Sequence, residues 1–181
     1  MLDLDANPGL RRLFVVARAR VVVGFLVAGV SLWLARPSWT MLAWGASIAV
    51  MGEALRVWAA GHLRKGQEVT RSGPYRFVGH PLYVGSFAIG VGFAVAAGHP
   101  LVAGLVLAYL AITLFAAVRL EEATLREAFG TEFDRYATGE ISRSPRRFSF
   151  EQVVTNGEHK AWLGFAAALG VLGLKAWFIA P

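Results

Sequence analysis

The chain has 181 residues, which is the length of one domain and leaves no room for a separate regulatory domain. It is 56% hydrophobic and only 17% charged, whereas ordinary soluble domains are about 25% charged. This composition excludes a disordered chain and argues against a soluble one. The absence of cysteine excludes a disulfide scaffold, a thiolate nucleophile and a Cys-ligated metal site.

The chain is basic, with 18 Lys plus Arg against 12 Asp plus Glu and a formal net charge of +6. Membrane proteins accumulate Lys and Arg in the loops of their cytoplasmic face, so this balance is typical of a membrane protein. No basic cluster alternates with aromatic residues as it does in many nucleic-acid-binding proteins. We therefore expect no nucleic-acid partner.

Five apolar stretches approach the roughly 20 residues that a helix needs to cross the hydrocarbon core of a membrane. They lie at 14–35, 39–61, 81–98, 101–120 and 162–179. The sequence therefore predicts an all-α protein, a polytopic transmembrane helical bundle of about five spans. We expect one integral-membrane domain over 1–181.

The fourth apolar stretch is expected to continue as a helix beyond the membrane. After Gly104 neither Pro nor Gly interrupts it until Gly130, and a helix of about 29 residues is about 43 Å long. Glu122 and Arg126 are spaced i,i+4 on this helix, which predicts an ion pair between them. The extension would bring Glu121 and Glu122 to the membrane surface.

Charged residues are distributed unevenly over the connections between these stretches. The connections 36–38 and 98–100 carry one formal charge, that of Arg36, while the N-terminal arm and the segments 61–80 and 121–160 carry nearly all the rest. In a bundle with an odd number of spans these charged segments share one side. The positive-inside rule then predicts a multi-pass protein with a cytoplasmic N-terminus and the C-terminus on the opposite side.

The segment before the third apolar stretch reads RSGPYRFVGHPLYVG over 71–85 and begins with a Gly-Pro turn. His80 and Pro81 open the following helix, because Pro is favoured in a first helical turn. The free N–H groups of that turn suit a carboxylate or a phosphate. Tyr83 shares a face with His80, and Gly85 leaves room for a flat group against the backbone. The alternative is an ordinary helix start with an interfacial tyrosine.

A pair of adjacent carboxylates, Glu121 and Glu122, follows the fourth apolar stretch. Such carboxylates repel each other unless a cationic or hydrogen-donating group lies between them. An amino group, a ribose diol or an arginine would serve. The alternative is a solvated helix face on which Arg119 and Arg126 are local partners.

Glu53 and Arg56 lie inside the second apolar stretch and are spaced i,i+3. This spacing allows them to pair, which would reduce the cost of placing charges at membrane depth. Ionisable residues within a membrane are by default candidates for function. A functional site and a purely structural pair both remain open for these two residues.

The sequence contains none of several other common site patterns. The four histidines lack the spacing of metal ligands, so no metal site is expected. There is also no phosphate-binding P-loop and no dinucleotide fingerprint.

Together these segments resemble the isoprenylcysteine carboxyl methyltransferase family, a group of integral-membrane methyltransferases that includes the phospholipid methyltransferases. The family pattern G-P-Y-x-x-x-R-H-P-x-Y-x-G, then E-E-x-x-L, then F-G-x-x-Y-x-x-Y is similar to 73–85, 121–125 and 129–136. The segment 52–59 is also similar, so the resemblance covers about 52–145. A further transmembrane helix at about 160–180 lies outside it.

The resemblance implies S-adenosylmethionine-dependent methyl transfer to a lipophilic, membrane-embedded acceptor, either an isoprenylcysteine carboxylate-like group or a lipid amine. The partners it implies are a lipophilic or prenylated small molecule and membrane lipid. The residues it assigns to the cofactor are Gly79, His80, Pro81, Tyr83, Gly85, Glu121 and Glu122. Arg56, Tyr75 and Arg76 are expected to position the acceptor.

Gly79 stands where the family has an arginine before His-Pro. A carboxylate acceptor would then need another cation, such as Arg71, Arg76 or Arg56, and the alternative is a neutral or amine-bearing lipid. Two other functions remain open. One is an NADPH-dependent reductase of the membrane sterol type, in which a similar H-P-x-Y-x-G helix start occurs, and the other is a small transporter or structural membrane protein.

Overall fold

The computed structural model describes residues 7–140 and 146–179, and every regular element within these ranges is helical. The elements are α1 (Pro8–Leu34), α2 (Trp39–Ala60), a short 3-10 turn (Gly73–Arg76), α3 (Pro81–Ala96), α4 (Pro100–Phe129), α5 (Thr131–Ala137), α6 (Phe150–Thr155) and α7 (Glu158–Ile179). Five of them are long helices, and they coincide with the five predicted apolar stretches. The predicted all-α helical bundle is confirmed.

The long helices run alternately up and down, so the bundle has two distinct ends. At one end, which we call the neutral end, the α1–α2 and α3–α4 connections meet, and the Arg36 amide donates to the Ala97 carbonyl at 2.7 Å. The Lys175 ammonium of α7 donates there to the carbonyls of Leu32 and Trp33. The opposite end, which we call the charged end, contains the last turn of α2, the first turns of α3 and α7, and the last turns of α4.

Three of the described helices, α1, α4 and α7, are long and apolar enough to cross a membrane. The apolar helix α3 is shorter, with 16 residues, and α2 carries Glu53 and Arg56 in its length. Many large apolar side chains of the bundle face outward, such as Phe25 and Trp177. Outward-facing apolar side chains on long helices are what a lipid environment favours.

Helix α4 has 30 residues and continues without a break from the neutral end to beyond the charged end, as its sequence predicts. It ends at Gly130, whose φ of +50° turns the chain into α5. The predicted pair of Glu122 with Arg126 is wrong, because Arg126 pairs with Asp134 of α5 at 3.0 Å. The fold of α5 back along α4 offers Arg126 a partner that local spacing does not show.

Helices α2 and α3 pack most closely of all, through glycines on both helices. Gly45 faces Gly92, and Gly52 faces Gly85. A Cβ atom added at Gly92 would lie 2.5 Å from the Gly45 carbonyl oxygen and 2.7 Å from the Ala49 Cβ. Small residues at these positions let two backbones approach each other, which is a common way for membrane helices to associate.

We expect Gly92→Ala to destabilise the protein by about 1–3 kcal/mol, because the added methyl group has no space between α2 and α3. Gly104→Ala is the matched control, since a Cβ there meets nothing within 4 Å. The measurement is thermal unfolding of the purified protein in detergent, followed by tryptophan fluorescence. Equal melting temperatures for the two variants would contradict the packing described here.

Candidate functional site

The conformation of the segment between α2 and α3 depends on a position that only glycine can occupy. Gly73 has a φ of +58°, and a Cβ there would collide with the imidazole ring of His62. The 3-10 turn that starts at Gly73 places Tyr75 in the interior. The Gly-Pro turn predicted from sequence is therefore confirmed, and it fixes where the chain re-enters the bundle at α3.

His62 lies beneath this turn and is buried. Its Nδ1 atom is 3.1 Å from the Ser72 hydroxyl, and its ring meets Phe148 edge-on at 6.1 Å. Burial lowers the pKa of His62, and the positive charges of Arg146 and Arg76 lower it further. The residue therefore favours its neutral form and acts as a packing element of the turn.

His80 and Glu122 bring the two predicted motif clusters together. Pro81 opens α3, and His80, which precedes it, makes no side-chain capping bond to the helix. Instead its Nε2 atom lies 3.4 Å from the Glu122 Oε1 atom of α4. The imidazole also stacks near the Tyr83 ring at 5.9 Å. The first turn of α3 and the projecting part of α4 thus form one surface at the charged end.

Glu121 faces the other side of this surface, where three tyrosines are grouped. It lies close enough to act electrostatically on both Tyr83 and Tyr75. Burial, and after it the negative charge of Glu121, raises the pKa of Tyr75 well above its usual value. Burial also raises the pKa of Tyr136. The Tyr75 and Tyr136 hydroxyls therefore stay protonated, as hydrogen-bond donors, to a higher pH than a free tyrosine does.

Helix α5 closes against the 3-10 turn through its own motif residues. The Tyr136 hydroxyl donates to the Tyr75 carbonyl at 3.0 Å. Arg71 and Glu132 add an ion pair at 3.2 Å. All these residues lie in the sequence motifs, but the sequence does not show that the Tyr136 hydroxyl joins α5 to the 3-10 turn.

Gly85 does not have the role that its sequence position predicts. A Cβ there would meet Arg56 Cγ at 2.6 Å and the Gly52 carbonyl oxygen at 2.7 Å, so α2 already fills the space beside it. The expectation that Gly85 leaves room for a flat group is wrong. Gly79 is open instead, since nothing lies within 4 Å of a Cβ built there.

Arg56 is held by α7 and α3 and not by its helical neighbour. Its guanidinium donates to both carboxylate oxygens of Glu158 at 2.8–3.1 Å, to the Ser86 hydroxyl and to the Leu82 carbonyl. The pair with Glu53 that the i,i+3 spacing allows does not form. The actual partner, Glu158, lies 102 residues further along the chain, so the spacing within α2 cannot reveal it.

The other two residues expected to position the acceptor lie apart from Arg56. Tyr75 is buried under the turn, and the Arg76 guanidinium donates to the Gly73 carbonyl at 3.2 Å while lying 5.0 Å from the Phe77 ring centre. Of these three residues only Arg56 lines the cavity that opens between the long helices. Within the described ranges, no group of three or more His, Asp and Glu side chains is arranged to hold a metal ion.

A comparison with known families gives one match. The model of the family described as phospholipid methyltransferase matches residues 19–132, which is more than half of the chain. The match runs from α1 to the start of α5 and so contains both halves of the surface at His80 and Glu122. It confirms the resemblance drawn from the motifs. No curated protein and no solved structure matches significantly.

We expect Tyr136→Phe to loosen the 3-10 turn, because one partly buried hydrogen bond of about 0.5–1.5 kcal/mol is lost. Amide hydrogen exchange of residues 73–77 should become severalfold faster. Tyr109→Phe is the matched control, since it removes an equally long bond, to the Arg20 carbonyl, far from the turn. Unchanged exchange at 73–77 in Tyr136→Phe would contradict a stabilising role of the Tyr136 hydrogen bond.

Proposed function

Because the chain belongs to the phospholipid methyltransferase family, we propose that it transfers a methyl group from S-adenosylmethionine to a lipophilic acceptor embedded in the membrane. Membership of the family supports a methyltransferase that acts on a lipid-type substrate. The observation that carries the finer proposal is the 3.4 Å contact between His80 and Glu122. It joins the helix start and the carboxylate pair, which are the two parts needed to hold a zwitterionic donor.

The side chains at this surface fit the polar end of such a donor. The first turn of α3 has no side-chain cap, so although the Tyr83 amide donates to the His80 carbonyl, the positive end of the helix dipole can face the donor's carboxylate. Glu121 and Glu122 supply negative charge for its amino group. The open space at Gly79 leaves the entrance to this surface unobstructed. We assign Gly79, His80, Pro81, Tyr83, Glu121 and Glu122 to donor binding, and Gly85 to the helix contact that positions them.

S-adenosylmethionine supplies an activated methyl group on a sulfonium, whose positive charge disappears as the methyl group leaves. The protein then needs to align donor and acceptor and to exclude water. Helices α2 and α3 provide the rigid wall for this alignment through their glycine contacts. The hydrogen bond from Tyr136 to Tyr75 holds the 3-10 turn against α5 at the same end of these helices. An amine acceptor must lose its proton before it attacks, whereas a carboxylate needs no base.

The family match favours methyl transfer over the two other functions that the sequence left open. We further propose that the charged end is cytoplasmic and that α7 completes the same domain. Two contacts of α7 support its place in the domain, the pairing of Glu158 with Arg56 and the bonds of Lys175 to the end of α1. The concentration of Lys and Arg at the charged end supports the orientation.

Titration of the purified protein with S-adenosylhomocysteine tests the donor site. We expect His80→Ala and Glu122→Ala each to weaken binding about tenfold or more, because each removes a charged or hydrogen-bonding group from the site. Glu140→Ala is the matched control, since this carboxylate is exposed and pairs only loosely with Arg135 at 3.9 Å. No binding to the wild type, or undiminished binding to both site variants, would contradict the assignment.

The orientation is testable with single cysteines, because the chain has none of its own. We expect Lys65→Cys, at the charged end, to be protected from a membrane-impermeant maleimide in intact cells and to react after lysis. Arg36→Cys, at the neutral end, should react in intact cells. Both positions are exposed in the structure. The reverse pattern would contradict the proposed sidedness.

A further inference from the structure

A cavity of about 440 Å³ lies between α1, α2, α3, α4 and α7. Small-molecule sites in proteins are usually about 300–1,000 Å³ in volume, so it is large enough for a ligand. Its walls are mostly aliphatic and aromatic, with side chains such as Ile89, Phe93 and Phe165. Such a lining suits a hydrocarbon chain. The methyl donor assigned above is polar and binds at the charged end, so this cavity calls for a different ligand.

One carboxylate in the cavity wall has no partner. Glu53 of α2 is 9% exposed, and neither of its carboxylate oxygens has a hydrogen-bond partner among the described residues. The Trp162 indole approaches it without reaching hydrogen-bonding geometry. An indole is in any case a neutral donor and cannot balance a negative charge.

The charges around Glu53 leave it without a counterion. Arg56 is the cation that lines the cavity, and its guanidinium is bound by Glu158, Ser86 and Leu82. Glu158 therefore takes the one guanidinium that lies beside the two carboxylates, and the cluster is one positive charge short of neutral. A buried charge is costly unless it is paired and hydrogen-bonded. A ligand that brings a positive, hydrogen-donating group into the cavity would supply both.

We propose that this cavity binds the apolar chain of an amphiphile whose protonated amine pairs with Glu53. The proposal rests on the proposed function only in identifying this amphiphile as the methyl acceptor, in which case the ammonium passes its proton to the Glu53 carboxylate and the neutral amine then attacks the methyl group. It selects the lipid amine over the isoprenylcysteine carboxylate-like acceptor, because a carboxylate in this cavity would face Glu53 with the same charge. Glu53 is then the residue that determines which class of acceptor the enzyme takes.

The test compares the binding of oleylamine and oleyl alcohol, which differ only in the charged group, to the purified full chain in a neutral detergent. We expect the wild type to bind oleylamine about tenfold or more tightly than the alcohol, as a charged hydrogen bond in a buried site implies. Glu53→Gln should bring this ratio close to one. Ser31→Ala is the matched control, because it removes another unpartnered polar group of the cavity without changing charge, and it should keep the preference.

A second readout covers the case in which Glu53→Gln fails to fold. In the wild type, an apolar carbodiimide should activate Glu53 and couple it to bound oleylamine as an amide, with release of the urea, whereas with oleyl alcohol only the carbodiimide adduct of Glu53 should form, as measured by mass spectrometry. Equal binding of the two probes to the wild type, an undiminished preference in folded Glu53→Gln, or the absence of the oleylamide at Glu53 would overturn the proposal.

Titration of the same samples with S-adenosylhomocysteine separates the two proposals. A wild type that binds S-adenosylhomocysteine but shows no preference for the amine would overturn the role of Glu53 alone. An amine preference in a protein that does not bind S-adenosylhomocysteine would support the cavity assignment and contradict the donor site alone.

Discussion

Helices α2 and α3 approach each other until their backbones touch, and the rest of the structure depends on this contact. Gly52 and Gly85 meet at the charged end of the interface, so the first turn of α3 is fixed against the last turns of α2. His80 is thereby held where α4 passes, and Arg56 is held where α7 begins. One glycine contact thus positions both the candidate donor surface and the wall of the cavity.

The sequence predicted the elements better than the contacts between them. The length of α4 followed from the absence of Pro and Gly, and the start of α3 followed from Pro81, because both depend on local backbone chemistry. The partners of Arg56 and Arg126 were not predicted, because the true partners lie on other helices and spacing shows only neighbours on the same one. The role of Gly85 was mispredicted for the same reason. The sequence shows that this residue has no side chain, but it does not show that α2 fills the space beside it.

The two proposed sites divide the molecule by polarity. The surface around His80 and Glu122 is partly exposed and charged, as a water-soluble donor requires. The cavity around Glu53 is apolar and lies between the long helices, as a lipid chain requires. Arg56 and Ser86 line the cavity next to the first turns of α3, so they mark where the two regions adjoin. Methyl transfer between a polar donor and a membrane lipid needs such an adjoining pair.

The most direct test is to supply the purified protein, in neutral phosphatidylcholine nanodiscs doped with a primary-amine lipid, with S-adenosylmethionine carrying a radiolabelled methyl group. We predict that the label enters the organic-extractable lipid fraction with the wild type and that His80→Ala and Glu122→Ala transfer it at least tenfold more slowly. A folded wild type that leaves the lipid fraction unlabelled, or site variants that label it at the wild-type rate, would contradict the account.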